Sequence, residues 1–147
     1  MTAPLTVSRR IAAAPEVVYS YLTDPDKWVR WQGSHADLDA RPGGMFLMAM
    51  PDGARARGEF LELVPDERVV FTWGWIDHPG VPPGSSVVEI SIHPEDDGSM
   101  VTITHRDLPD DEIEIHRAGW EHYLPRLAAV AEGVRVEPDR GPGGQSS

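Results

Sequence analysis

Leu5-Thr6-Val7-Ser8-Arg9-Arg10-Ile11 alternates apolar and polar side chains closely enough to predict a strand. Ala14-Pro15-Glu16 then opens a short helix, with Pro in its first turn and Val17, Val18, Tyr21 and Leu22 as its apolar stripe. Asp24-Pro25 repeats the start signal, cap then Pro, and leads through Lys27-Trp28-Val29-Arg30-Trp31 to Gly33, predicting a second short helix. Period two follows. Arg41-Pro42-Gly43-Gly44 and Pro51-Asp52-Gly53 are turns around a strand from Met45 to Met50, and Ala54 to Val64 is a longer strand. After the turn at Pro65-Asp66-Glu67, the run Arg68 to Trp75 puts Val69, Phe71, Trp73 and Trp75 on one face. Ser86, Val88, Ile90 and Ile92 share a face of the next strand, Pro94 to Gly98 is a turn, and Val101, Ile103 and His105 alternate on the strand after it. From about Asp111 to about Gly133 the period returns to 3.6, with Ile113, His116, Trp120, Tyr123, Leu124, Leu127 and Val130 or Ala131 on one stripe.

The order is a strand, two short helices, about six strands and one long amphipathic helix. This is an α+β layout, with helices segregated on one side of a curved antiparallel sheet that must wrap the long C-terminal helix. Asp77 to Gly84 is a Pro/Gly-rich loop longer than a hairpin needs, so the stretch 76–86 is a candidate lid. Pro138 to Ser147 combines Pro, Gly and Ser without a large apolar residue, which predicts a disordered tail at 138–147 behind a single domain at 1–137.

With 147 residues, one core is the expectation. The chain has no Cys, which excludes a disulfide framework, thiolate-held metal or a thiolate nucleophile. Lys and Arg number 13 against 24 Asp and Glu, a net charge of −11 that argues against nucleic acid or an anionic membrane as partner. The first residues lack the basic start and apolar stretch of a signal peptide, and no stretch reaches the roughly 20 apolar residues of a membrane span, so a cytoplasmic protein is expected.

Ile11-x-Ala13-x-Pro15-Glu16-x-Val18-Tyr19, Trp28-x-x-Trp31, Arg41-Pro42-Gly43-Gly44-x-Phe46, Gly58-Glu59, Arg68 to Trp73, Val101 to His105 and Gly119-Trp120-x-x-Tyr123-Leu124-x-x-Leu127 occur in this order. Together, from about Thr6 to Gly133, they resemble the bacterial single-domain proteins similar to the C-terminal domain of the activator of Hsp90 ATPase. That group belongs to the START, Bet v 1 and polyketide-cyclase-like superfamily. The resemblance implies a helix-grip fold with a hydrophobic cavity between sheet and C-terminal helix, and it implies no single reaction. Members bind lipids, steroids, polyketides or plant hormones, cyclise aromatics or assist a chaperone.

Strand alternation and the helix stripe predict the lining of such a cavity: Phe46, Met48, Phe60, Phe71, Trp73, Trp75, Val88, Ile90, Val101, Ile103, His105, His116, Trp120, Tyr123 and Leu127. The same side chains would also fill a solid core. Trp28 and Trp31 are expected to close the end of the barrel. His105 lies on the inward face and needs a partner, which backbone, Tyr123 or a ligand could supply; His116 and Tyr123 complete a polar pole beside it. His116 and His122 sit about 240° apart around the helix, and Glu112 with His116 is one acid and one His, so no metal is expected. No Gly-x-Ser-x-Gly elbow is present, the Gly-rich turn at 41–44 lacks a phosphate loop's Lys, and the acidic run from Asp107 to Glu114 suits a solvated helix start.

Three readings follow: non-catalytic binding of a small apolar or aromatic molecule with no cofactor, a chaperone-related or stress-related interaction module, or a cyclase-like or hydrolase-like enzyme using His105 or Tyr123. A homodimer through a sheet edge or outer face is compatible with each.

Overall fold

Seven strands form one antiparallel sheet, described here from a computed structural model that covers residues 4–141. The elements run β1 (Leu5–Ile11), α1 (Pro15–Thr23), α2 (Pro25–Trp28), β2 (His35–Leu38), β3 (Met45–Ala49), β4 (Arg55–Val64), β5 (Arg68–Trp73), β6 (Ser86–Glu95), β7 (Gly98–Arg106) and α3 (Asp110–Ala131). Their order across the sheet is β1-β7-β6-β5-β4-β3-β2. After the first strand, every neighbour is a sequence neighbour, so the chain meanders from β2 to β7 and β1 closes the far edge against β7. This is the α+β helix-grip arrangement.

Local chemistry accounts for most of these bounds. The Asp24 side chain accepts the Asp26 N–H at 2.9 Å, and Pro25 follows at the first helical position, so α2 is capped as its sequence predicts. β5 stops at Trp73, two residues short of the expected end, because Gly74 leaves the ladder; Trp75 then makes only an isolated bridge to Ala56. β6 and β7 reach further into their hairpin than expected. Pro94 stays inside β6 because β5 pairs only as far as Ser91, which leaves that side of the strand without a ladder for Pro to interrupt. β2 has too short and weak an alternation to be placed from sequence. The register between β4 and β5 shifts between Phe60 and Glu62, a bulge that adds local bend to the sheet.

The concave face is dense with rings. Phe46 stacks on Phe71 with centroids 4.3 Å apart, Phe60 meets both edge-on, and Trp28 approaches Phe46 and Phe71 from α2. Trp28 and Trp31 lie 4.7 Å apart and are fully buried, and the Trp31 indole donates to the Tyr21 carbonyl. These two therefore close one end of the grip.

The expected disordered tail divides. Asp139 is 8% exposed, and its carboxylate accepts from the Tyr123 hydroxyl at 2.8 and 3.0 Å and from the Gly33 and Gly141 N–H groups at 2.7 Å. Composition hid this because one buried Asp with three donors anchors a segment that has little apolar surface. The rest of the tail, 142–147, lies outside the described residues. Among the described residues, no helix is long and apolar enough to cross a membrane.

Candidate functional site

The loop after β5 and the N-terminal half of α3 stand apart enough to leave a groove of about 590 Å³. Its walls are Trp73 from the end of β5, Trp75, Ile76, Asp77 and His78 from the loop after it, and Glu112, Ile115, His116, Gly119, Trp120 and Tyr123 from α3. Gln32, Met50, Asp52 and Ala54 close the third side. Ile115, 64% exposed, presents an apolar side chain at the mouth.

Three indoles dominate. Trp73 meets Trp75 edge-on at 5.3 Å and Trp120 at 5.4 Å, so the three rings form one bent aromatic wall. Two histidines hold it in place. The Trp75 indole N–H donates to Nε2 of His116 at 3.0 Å, while Nδ1 of His116 lies 2.9 Å from the Glu112 carbonyl. A carbonyl only accepts, so His116 carries its proton on Nδ1 and is neutral. The Trp120 indole donates to Nδ1 of His105 at 3.0 Å, which puts the His105 proton on Nε2, facing Ser86 Oγ at 2.9 Å. The Ser86 hydroxyl in turn donates to the Trp73 carbonyl at 2.8 Å. The two imidazoles are thus opposite tautomers, edge to face at 5.3 Å.

Burial penalises the charged form of both rings. His105 is 1% exposed, and burial together with the neighbouring His116 lowers its pKa to about 3. Burial also lowers His116, against the opposing pull of the Glu112 carbonyl and carboxylate. Tyr123 is shifted upward, first by burial and then by its hydrogen bond to Asp139, so its hydroxyl stays protonated.

The groove takes Trp73, Trp75, His116, Trp120 and Tyr123 from the expected lining. His105 lies behind this wall as its support, partnered by Ser86 and Trp120 rather than by Tyr123. Phe46, Met48, Phe60, Phe71, Val88, Ile90, Val101, Ile103 and Leu127 have no exposed surface and sit in the packed core, outside the groove's lining. Period two identifies the inward face of a strand, but it does not say where along that strand the helix stops covering it. Glu112 and His116 share one face near the start of α3, and the histidine of the pair is buried. Sequence reasoning missed Gln32, Met50, Asp52, Ala54, Glu112, Ile115, Gly119, Ile76, Asp77 and His78 as wall residues; the Pro/Gly-rich loop was the available signal for the last three. Among the described residues, no group of three or more His, Asp or Glu is arranged to hold a metal ion.

A seven-stranded sheet gripping one long helix, with an aromatic groove at one end of the grip, defines a helix-grip protein. The chain belongs to the Activator of Hsp90 ATPase homolog 1-like family, whose model matches residues 12–132. It is 26% identical over 122 residues to the human Activator of 90 kDa heat shock protein ATPase homolog 1, a match covering 83% of this chain and 35% of the human protein. The chain therefore spans about a third of the length of that relative. Among solved structures, a Chromobacterium violaceum protein is 30% identical with a TM-score of 0.78, over 90% of this chain and 99% of the other. The AHSA1 protein from Silicibacter pomeroyi is 31% identical with a TM-score of 0.70, over 87% and 96%.

Proposed function

We propose that the protein binds a small apolar or aromatic molecule in the groove between the β5 end and α3, without catalysing a reaction on it. The observation that carries this reading is the bent wall of Trp73, Trp75 and Trp120 lining an open volume of about 590 Å³. Indole faces stack on planar apolar bodies, and Met50, Ile76 and Ile115 supply adaptable apolar contact around them. Chemistry by His105 is opposed by the same geometry. Both of its nitrogens are engaged and the ring is held neutral, so accepting a proton would break the bond from Trp120. Tyr123 is similarly committed to Asp139.

The test is a titration with 1-naphthylmethanol, a neutral aromatic probe, followed through the five indole N–H resonances. The expected result is saturable movement of the Trp73, Trp75 and Trp120 signals while Trp28 and Trp31 stay still. Ile115→Gln, an exposed change at the mouth, should weaken binding several-fold without unfolding the chain. No saturable response across a panel of neutral aromatics would sink the reading and favour the interaction-module alternative, which rests on the family relation.

A further inference from the structure

The groove's ionisable lining is one-sided. Asp52, Asp77 and Glu112 bring three carboxylates to it, and neither Lys nor Arg is among its lining residues. Its two histidines do not restore the balance. His116 is neutral, as its bonds to Glu112 and Trp75 require. His78 accepts the Gly80 N–H on Nδ1 at 3.2 Å, which places its hydrogen on Nε2, 3.3 Å from a Glu112 oxygen. It therefore faces Glu112 as a neutral ring in this arrangement.

A second observation points the same way without involving charge. Gln32 is a wall residue that is 3% exposed, and its side-chain carbonyl oxygen is buried with no hydrogen-bond partner. A buried unpaired acceptor is costly, and only a donor satisfies it; the Trp73 indole N–H of the same wall is likewise buried and unpaired and takes an acceptor, so a ligand that carries both an N–H and a lone pair suits the two. Water could supply that donor, but so could the N–H of a ligand. Trp75, half-buried where Trp73 and Trp120 are each only 2% exposed, adds a third attraction, because the face of an indole ring favours a cation within about 6 Å.

We infer that the ligand class is cationic: a protonated amine carried on an aromatic or apolar body, its ammonium among Asp52, Asp77, Glu112 and Gln32 and its body against the indoles. This rests on the binding reading above and narrows it. Carboxylate-bearing aromatics are correspondingly rejected, since the groove offers them like charge and no fixed cation.

Three probes of matched shape separate the two claims: 1-naphthylmethylamine, 1-naphthylmethanol and 1-naphthoate, titrated at pH 7 and low salt by calorimetry and by the indole N–H signals. The amine is expected to bind at least tenfold more tightly than the alcohol, and the carboxylate more weakly than either. Raising salt should narrow the gap, since partly exposed charges are screened. Asp52→Asn with Asp77→Asn removes two charges while keeping the Asp52 acceptor for the Ala54 N–H and an amide side chain that tolerates the φ of 70° at position 77. That double variant should lose most of the amine's advantage over the alcohol. Equal binding of amine and alcohol, or an advantage that survives the double variant, overturns the charge inference alone. Failure of all three probes overturns the groove reading with it.

Discussion

The indole N–H of Trp120 donates to Nδ1 of His105 over 3.0 Å, and that bond fixes the tautomer of a buried imidazole. Its consequence is a pH dependence of stability. Burial and the nearby His116 lower the native pKa to about 3, whereas an unfolded histidine titrates near 6.5. Between those values the unfolded chain binds a proton that the native one refuses, so stability is full above about pH 7 and falls as pH drops toward 3. This one group should cost about 2–3 kcal/mol between pH 7 and 4.5. His116, also lowered, adds in the same direction. Urea unfolding across this range should show the loss, and His105→Gln should flatten the slope while lowering stability at pH 7. An unchanged slope in the variant would mean that His105 is not the group responsible.

The same histidine shows what the chain makes legible. Alternation from Val101 through Ile103 to His105 placed it on the inward face, and burial follows from that. Its partners could not be read, because Ser86 reaches it only through the β6–β7 register and Trp120 through the way α3 lies on the sheet. The sheet, the long helix and the tandem Pro starts were legible because each is a repeated local signal. Position along the grip is not local. Phe71 and Trp73 share one strand face, yet Phe71 is sealed under Phe46 and Trp28 while Trp73 reaches the groove. Asp139 was illegible for the opposite reason, a single polar anchor in a stretch whose composition reads as a tail.

Phe71 should be a stability residue with no direct part in binding. It stacks on Phe46 and meets Trp28, Phe60 and Trp73 within 6.3 Å, in a cluster with no exposed surface at its centre. Phe71→Ala should cost about 3–5 kcal/mol in denaturant unfolding, as buried aromatic truncations do. Phe71→Leu should recover much of that loss. A small effect of the alanine change would indicate a core loose enough to collapse into the space, contrary to the ring contacts observed.

Gly74 should control the groove's shape. A Cβ there would run into the backbone carbonyl of Pro82, and a backbone neighbour cannot swing aside as a side chain can. The contact matters because Trp75 N–H donates to the Val81 carbonyl at 2.7 Å, tying the loop to the residue that follows Gly74. Gly74→Ala should therefore cost about 1–3 kcal/mol and shift the indole signals of Trp73 and Trp75. Signals from Trp28 and Trp31, which are fully buried and are not wall residues of the groove, should move far less. Uniform shifts in all five would instead indicate a global change.

Asp139 is expected to hold the C-terminal segment on the body of the fold. Its carboxylate gathers the Tyr123 hydroxyl from α3, the Gly33 N–H from the turn before β2 and the Gly141 N–H from its own segment. Gly33 has φ 81°, and a Cβ there would press on the Ala49 carbonyl and the Met48 sulfur, so its N–H cannot readily turn toward another partner. Asp139→Ala leaves that donor buried and unpaired and the Tyr123 hydroxyl with only the weak Met50 sulfur acceptor at 3.9 Å, which should cost about 2–3 kcal/mol. Tyr123→Phe removes one donor and leaves the carboxylate its two N–H partners, so about 1 kcal/mol is expected. Trypsin gives an independent readout, since Arg135 and Arg140 flank Asp139 in the segment and are exposed. Cleavage at both should accelerate in Asp139→Ala and little in Tyr123→Phe. The competing tether is Arg126, whose guanidinium donates to the Trp31 carbonyl at 2.9 Å and the Glu137 carbonyl at 2.8 Å. If Asp139→Ala leaves cleavage unchanged and Arg126→Gln accelerates it, the guanidinium holds the segment and the carboxylate serves only to satisfy Gly33 and Tyr123.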